Sequence, residues 1–493
     1  MKKMKRIIAF FIALTVILSL CGCTKTPEPE VTTEPTTAPF TQNDGILKLA
    51  YSSSDSLNPF FCSTNTNANI LGLVYDGLYK LDKNYNPVPV IAASYYSDSA
   101  SVTVALAQAQ FSDGTEIYPA DVVSSFELAK ESPAYSQKLK NFESATASGG
   151  SVTFTLSSPD PYAVSCLTFP IAKINEEEPE ADFPTGSGRY IPQVSGEERY
   201  LIANAKKSGF APAIKTIMLV NLKDEASLIS SVEVGNTGFI FNNLSSGTYS
   251  RISAKTKDIG INNFVFLAFN PALEIFANTS VRQAINLAID RSEISTTAYQ
   301  GHARVAYSPF NPDWHMIASK DLIIPKNIEK GKELIAASGA NVAQNELLIL
   351  VNSENQFKLE TAEFIKEYLE AIGFRIKLAK LSAENFASEV AAGNYAMYIG
   401  EIKLSPNMDI SPLLTDESSG FKVNPESESA IRYTQLLEGK CEIMDFINTF
   451  NSDVPFIPLC YRNAAVSFSN SMQGGFESCD GDVFYDIETW SFK

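Results

Sequence analysis

Glu401 and Asp409 are the residues whose type and position most directly predict a binding chemistry. They follow or end the last strand of segment 346–402, whose pattern predicts three strands separated by two helices. Ligands of wound parallel sheets bind beyond the carboxyl ends of the strands, so both carboxylates are expected at a binding edge. There they would favour a cationic group through charge-assisted hydrogen bonds. The alternative is that both are solvated loop carboxylates, as most acidic residues are.

The elements that place these two acids are predicted by hydrophobic periodicity. In chain order the pattern predicts strand 346–352, helix 358–372 ended by Gly373, strand 375–381, helix 383–393 ended by its own glycine, and strand 395–402. A strand-helix-strand-helix-strand succession of this kind forms a parallel sheet with right-handed crossovers. The segment is therefore expected to fold as an α/β unit.

Three further local predictions concern the ends of elements. Ser280 and Gln283 have the spacing of a capping box at the start of a core helix. Residues 69–82 are expected to include a helix with Ile70 and Val74 on one face. The loop Gly186-Ser187-Gly188 is interpreted as a backbone turn, because no Lys-Ser/Thr pair follows it as a phosphate-binding loop requires.

An enzymatic role has little support in the residue types. The 493-residue chain contains only His302 and His315, and it has no H-E-x-x-H or G-x-S-x-G motif. Beyond the first 23 residues the cysteines are widely and irregularly spaced, which argues against a zinc site. We therefore expect no catalytic residues, no metal and no cofactor. A hydrolase built from a spatial triad or a carboxylate pair stays open as an alternative.

The N-terminal residues indicate export and lipid anchoring. Four basic residues precede an apolar run from Ile7 to Leu20, which is too short to span a membrane comfortably. Gly22-Cys23 resembles the end of a lipobox, so residues 1–22 are expected to be a lipoprotein signal peptide and Cys23 the lipidated residue. Residues 23–44 are rich in Thr, Pro and Glu and are expected to form a disordered tether. The alternative is an ordinary secretory signal.

The net charge limits the possible partners. The chain carries a formal charge of −17 at pH 7, and removal of residues 1–22 would make it more negative by four units. Such a surface offers no basic patch for phosphates, so nucleic acid is excluded as an expected partner. The ligand charge does not follow, because a local pocket can differ from the net sign.

Several motifs together resemble one family. Segment 264–314 contains FN, then VRQAI, AIDR and SPFNPDW, and earlier segments contain LNPF, YDGLY, FSDG and PADV. These motifs are similar to those of the family 5 extracellular solute-binding proteins, which serve peptide and nickel ABC importers. The Gly186–Tyr190 loop resembles the family pattern G-T-G-P-Y, with Ser187 and Arg189 as departures. The resemblance extends from about Ile46 to Arg462.

The resemblance implies a two-lobed, periplasmic-binding-protein-like α/β fold with a hinge and an extra subdomain on the first lobe. Lobe I is expected to be discontinuous, and lobe II to hold the α/β unit. The expected boundaries are 45–75, 186–262 and 455–493 for lobe I, 76–185 for its subdomain, and 263–454 for lobe II.

The resemblance also implies site residues, with departures at the two acids. Gly400 is followed by Glu401 where the family has a pocket-lining aromatic residue. Asp409 best matches the acid that receives a peptide α-ammonium, although the spacer is longer and Ile410 replaces a proline. The candidate ligand contacts are Asp409, Glu401, Asn270, Trp314, Asn58 and Phe60.

These candidates each have a structural alternative. Asn270 can equally hold its own backbone at the cleft rim, and Trp314 can equally pack in the core. Asn58 and Phe60 are included only because the first loop lies on the cleft side in the family. Arg462 is interpreted as a surface arginine rather than a ligand contact.

The function implied by the resemblance is capture of short peptides between two lobes for delivery to ABC permease transmembrane subunits. The protein would act as a monomer, lipid-anchored at the outer face of the cytoplasmic membrane. Three alternatives remain: the same receptor class for a nickel chelate or an oligosaccharide, a surface peptide sensor or adhesin, and a lipid-anchored hydrolase.

Overall fold

The computed structural model describes residues 45–175, 177–222, 225–249 and 251–493. The strands in chain order are β1 (Ile46–Tyr51), β2 (Tyr79–Leu81), β3 (Pro87–Pro89), β4 (Ala92–Ser97), β5 (Ser101–Leu106), β6 (Phe142–Ser148), β7 (Ser151–Leu156), β8 (Tyr190–Ser195), β9 (Glu198–Ala203), β10 (Thr216–Asn221), β11 (Phe239–Asn242), β12 (Lys255–Phe269), β13 (Ala303–Val305), β14 (Glu346–Asn352), β15 (Arg375–Leu381), β16 (Met397–Lys403), β17 (Phe456–Phe468), β18 (Met472–Gln473) and β19 (Ser491–Phe492).

The helices alternate with these strands along most of the chain. They are α1 (Asn65–Leu71), α2 (Pro119–Glu131), α3 (Glu225–Glu233), α4 (Glu274–Ala277), α5 (Thr279–Ala288), α6 (Arg291–Glu293), α7 (Ile328–Ser338), α8 (Gln356–Ala371), α9 (Ala383–Ala392), α10 (Ser411–Leu414), α11 (Glu428–Leu437) and α12 (Ile443–Asp453).

One eleven-stranded sheet contains strands from the first and the last parts of the described chain. Its order is β15-β14-β16-β12-β17-β11-β1-β10-β9-β8, with β13 paired to β17. The two long strands β12 and β17 run antiparallel through the middle of the sheet, and their register shifts between Gly260 and Asn263. A separate sheet, β4-β5-β7-β6, is packed against α2. Both halves of the large sheet therefore meet along one pair of strands.

The continuous apolar run in β12 is explained by burial on two faces. Val265 and Leu267 pack into a core with α5 and α8, whereas Phe264 and Phe266 pack into another core with α11 and α12. Successive side chains of a strand point to opposite faces, so a strand covered on both sides must be apolar at every position.

The α/β segment is confirmed. β14 pairs in parallel with both β15 and β16, and two helices connect these three strands. Gly373 and Gly393 follow α8 and α9 with φ of 99° and 78°, the left-handed backbone that glycine adopts without steric cost. This half of the sheet is placed as the periodicity predicts.

Two local predictions are wrong. Helix α5 is capped by Asn278, whose side chain accepts from the Ser280 N–H, and Gln283 instead donates to the Ser452 carbonyl at 2.7 Å. The helix predicted within 69–82 is α1, which spans Asn65–Leu71 and therefore includes Ile70 but not Val74. Residues Tyr79–Leu81 instead form a strand paired with β3. The apolar residues after Leu71 therefore belong to a turn and a strand, although their spacing continues that of the helix.

The predicted signal peptide, tether and lipidated Cys23 lie outside the described residues, and the lobe boundaries stay predictions. Among the residues described, no helix is both long and apolar enough to cross a membrane. The five cysteines of the described chain are free thiols, and four of them are buried.

Candidate functional site

A cavity of about 600 Å³ lies next to the carboxyl end of β16. Its walls come from parts of the chain that are distant in sequence. They include the α1-to-β2 segment, the segment after α2, the loop after β9, residue Asn262, the loop 403–406 and the C-terminal segment 480–488. Of the three strand ends in the predicted binding edge, that of β16 borders this cavity, whose size is typical of small-ligand sites.

The charged residues of the cavity wall are mostly paired. Arg189 Nη2 lies 2.8 Å from Asp482, and Lys403 Nζ lies 3.4 Å from Asp480. Lys207 pairs with Asp76, which also accepts a hydrogen bond from the Ser187 hydroxyl. These pairs connect wall segments that are far apart in sequence.

Two lysines of the wall contact aromatic rings instead of acids. Lys138 Nζ lies 5.0 Å from the Tyr135 ring centroid and 3.4 Å from Thr168 Oγ1. Lys80 Nζ lies 4.6 Å from the Tyr485 ring centroid. Burial lowers the pKa of Lys138, and the nearby Lys403 charge lowers it further. The cavity thus presents ammonium groups beside apolar rings.

Tyrosines form much of the remaining wall. The Tyr75 hydroxyl donates to the Pro184 carbonyl at 2.8 Å, and the Tyr85 hydroxyl accepts from Asn311 at 3.2 Å. The Tyr79 hydroxyl is buried and has no hydrogen-bond partner among the described residues. Rings with polar ends can bind an extended ligand through both stacking and hydrogen bonds.

Glu401 borders this region but does not line the cavity. Lys358 Nζ lies 2.8 Å from Oε2, while the Arg462 guanidinium and the Asn263 amide each contact Oε1 at 2.9 Å. Burial would raise the pKa of Glu401, but the charges of Lys358 and Arg462 outweigh it and lower that pKa to about 2. Glu401 is an ionised, fully paired carboxylate.

Arg462 corrects the interpretation as a surface arginine, because it is only 3% exposed. It lies in β17 opposite Asn263 of β12, at the register shift between Gly260 and Asn263. A buried arginine requires a counter-ion, and Glu401 supplies it.

Asp409 stabilises the start of a short helix. Its Oδ1 accepts from the Ser411 N–H at 2.8 Å and from the Tyr433 hydroxyl at 3.1 Å. The residue is partly buried and is not part of the cavity wall. Ligand contact by Asp409 and by Glu401 stays a prediction.

The other four candidates lie within the protein interior. Trp314 is 0% exposed and packs against Tyr162, with ring centroids 4.9 Å apart. Asn270 donates to the Tyr395 and Gly393 carbonyls. Asn58 donates to the Pro179 and Ala181 carbonyls, and Phe60 is 2% exposed in the core. Their neighbour Pro59 lines the cavity instead.

The cavity residues that the sequence did not reveal are in segments without motifs. Tyr135 and Lys138 follow α2 in an irregular stretch, and Asp480 and Tyr485 belong to a C-terminal segment with no clear periodicity. A metal site is not found either: within the described ranges no three His, Cys, Asp or Glu residues lie together as ligands.

Comparison with known proteins identifies the family. Residues 86–420 match the model for bacterial extracellular solute-binding proteins, family 5 middle. The chain belongs to this family. Family 5 proteins are solute-binding components of ABC importers, and the relatives found are binding proteins.

The family 5 relatives and structures are distant in sequence. Oligopeptide-binding protein AppA of Bacillus subtilis strain 168 is 23% identical over 65% of this chain and 64% of its own length. Glutathione-binding protein GsiB of Pectobacterium atrosepticum is 22% identical over 87% of this chain and 91% of its own. The crystal structure of a putative peptide-binding protein AppA from Clostridium difficile covers 91% of this chain and all of its own, with TM-score 0.69 and 18% identity. The fold is therefore the two-lobed α/β fold of this family.

Proposed function

We propose that this chain is the lipid-anchored substrate-binding subunit of an ABC importer and that it captures short peptides in the cavity beside β16. The observation that carries the proposal is the cavity of about 600 Å³, whose wall includes Asn262 of β12, the end of β16 and the C-terminal segment 480–488. Capture would close the two halves of the molecule about these strands, as hinge proteins close around a ligand.

The chemistry of the wall favours a peptide over the alternatives. Ammonium groups, tyrosine rings and tyrosine hydroxyls provide contacts for carboxylates, apolar side chains and main-chain amides. The proteins named for oligopeptide and glutathione binding among its relatives agree with this class of ligand. A nickel chelate would have to bring its own ligands, because the described residues offer no cluster of metal-binding side chains.

Location and delivery complete the proposal. Lipidation of Cys23 would hold the protein at the outer face of the cytoplasmic membrane, and residues 23–44 would let it reach the permease. The protein would act as a monomer and pass the peptide to the transmembrane subunits.

The test is ligand-dependent stabilisation of the full-length protein in detergent. The protein would be unfolded and refolded to remove bound ligand, then melted with pools of dipeptides, longer peptides, oligosaccharides or nickel chelates. A ligand at one hundred times its Kd adds about 2.7 kcal/mol to the free energy of unfolding, which raises Tm measurably. A shift with a peptide pool alone supports the proposal. No shift with any pool contradicts it, and a shift with a different pool replaces the ligand class.

A further inference from the structure

The acidic residues on the cavity wall are largely neutralised by its basic residues. Asp76, Asp480 and Asp482 are each within ion-pair distance of a lysine or arginine. Glu488, on an exposed part of the wall, is the acid that has no such partner among the described residues. Among the described residues, the wall therefore has no buried carboxylate without an ion-pair partner to receive a ligand ammonium.

Lys138 has the opposite character. No carboxylate of the described residues lies within ion-pair distance of its ammonium, whose contacts are Thr168 and the Tyr135 ring. These neutral groups orient the ammonium but do not cancel its charge. Burial and the Lys403 charge both lower the pKa of Lys138, so its ammonium form is less stable here than that of a solvated lysine. An anion placed beside Lys138 would remove that penalty.

The local charge indicates what kind of anion fits. Lys138 interacts electrostatically with Lys403 and with Asp480, and Asp480 is itself within 3.4 Å of Lys403. Two positive charges and one negative charge leave a single net positive charge at this end of the cavity. A single negative charge balances it, whereas a phosphate dianion would leave one charge uncompensated beside Asp480.

We propose that the ligand carries a carboxylate that binds the Lys138 ammonium at the Lys403 end of the cavity. This inference rests on the proposed function, because it specifies the chemistry of the captured peptide. The carboxylate can be the C-terminus of the peptide or an acidic side chain. Either source forms the same charge-assisted hydrogen bond with the ammonium. The ligand is thus anchored through its negative end rather than through its α-ammonium.

The experiment compares three tripeptide pools by calorimetry on the refolded full-length protein in detergent. The first pool has free C-termini and lacks Asp and Glu. The second has the same residues with amidated C-termini, and the third is amidated but contains one Glu. The expected result is binding of the first pool at least tenfold tighter than the second. Binding of the third pool as tightly as the first would identify the side chain as an equivalent source.

Lys138→Met tests the contact while keeping most of the aliphatic stem. A hydrogen bond to a charged group contributes roughly 1.5–3 kcal/mol, which corresponds to a loss of roughly 10–100-fold in affinity for the free-acid pool. Affinity for the amidated pool should stay unchanged. Lys332→Met is the matched control, because Lys332 is exposed on α7 and pairs with Glu329. Both variants should melt near the Tm of the unliganded protein, which verifies folding.

Carboxylate recognition and peptide capture are contradicted by different results. Equal affinity for free-acid and amidated pools, or an unchanged affinity of a folded Lys138→Met variant for the free-acid pool, overturns the carboxylate inference and leaves peptide capture standing. Absence of binding by all three pools overturns both, because no peptide is then captured.

Discussion

At the scale of single residues, Glu401 is surrounded by groups that the sequence separates widely. Arg462 lies 61 residues further along the chain, and Lys358 comes from the first turn of α8. The hydrophobic pattern placed Glu401 near the carboxyl end of its strand, which the structure confirms. Nothing in the pattern shows that two cations occupy its oxygens, because such contacts depend on the packing of remote elements.

Glu401→Gln is expected to destabilise the protein by about 3–5 kcal/mol at pH 7. The substitution leaves Lys358 and Arg462 without their counter-ion, and breaking a buried pair by removing one partner has a cost of that size. The side chains of Lys358 and Arg462 are only 15% and 4% exposed, so water can compensate little. Urea unfolding followed by circular dichroism measures the change.

Glu363→Gln is the matched control for this change. Glu363 pairs with Lys380 at 2.7 Å, but both side chains are about half exposed. An exposed pair contributes roughly 0–1 kcal/mol, so the control should lose little stability. Equal losses in the two variants would contradict the role assigned to the buried pair.

At the scale of elements, the sequence correctly predicted the helices and strands that are set by local periodicity and by glycines at their ends. Strands β14 to β16 and helices α8 and α9 alternate at short intervals, and glycines mark the helix ends. Segment 69–82 failed because its apolar residues serve a helix, a turn and a strand in succession. The spacing of apolar residues cannot distinguish a helix from a strand when each element spans only a few residues.

Gly188→Ala tests the interpretation of the Gly186–Tyr190 loop as backbone turn chemistry. A Cβ at Gly188 would meet the Val74 backbone at 2.4 Å, where the Gly188 N–H donates to the Val74 carbonyl. The two backbones must separate, and we expect a loss of roughly 1–3 kcal/mol, as for overpacked cores. Because Arg189 and Tyr75 line the cavity from these two segments, peptide affinity should fall as well.

Gly150→Ala provides the comparison for Gly188. A Cβ at Gly150 would meet no heavy atom of the described residues within 4 Å, and the position does not require a positive φ. The Gly150→Ala variant should retain the wild-type midpoint in urea. A Gly188→Ala protein with unchanged stability and affinity would rule out the close backbone approach as a requirement of the wall.

At the scale of the whole molecule, the cavity is a product of long-range assembly. Its wall combines Lys138 from the segment after α2, Lys403 from the end of β16 and Asp480 from the C-terminal segment. Of these three, the sequence predicted only the end of β16 as part of a binding edge, because ligands of parallel sheets bind at the carboxyl ends of the strands. The other two depend on how segments without periodicity are placed against the sheet.

Asp160 lies where the segment between β7 and β8 meets the loop after β16. It is 5% exposed, accepts from the Asn407 amide at 2.7 Å and accepts from the Tyr162 N–H at 2.9 Å. Burial raises the pKa of Asp160 from 3.8 to about 6, despite these hydrogen bonds. The Asn407 Oδ1 atom is buried and has no partner among the described residues, so a protonated Asp160 could donate to it.

Because the pKa of Asp160 is higher in the folded state, protonation of this carboxyl group stabilises the folded protein, and this stabilisation is complete below pH 3.8. It is lost as the pH rises through about 6, with a total change of about 3 kcal/mol at 1.36 kcal/mol per pKa unit. Asp160→Asn removes this titration. The free energy of unfolding of the variant relative to wild type should therefore rise between pH 4 and pH 7. Asp321→Asn, at an exposed position, should follow the wild-type curve. Parallel curves for Asp160→Asn and wild type in urea titrations at each pH would show that this contact between distant segments does not respond to protonation.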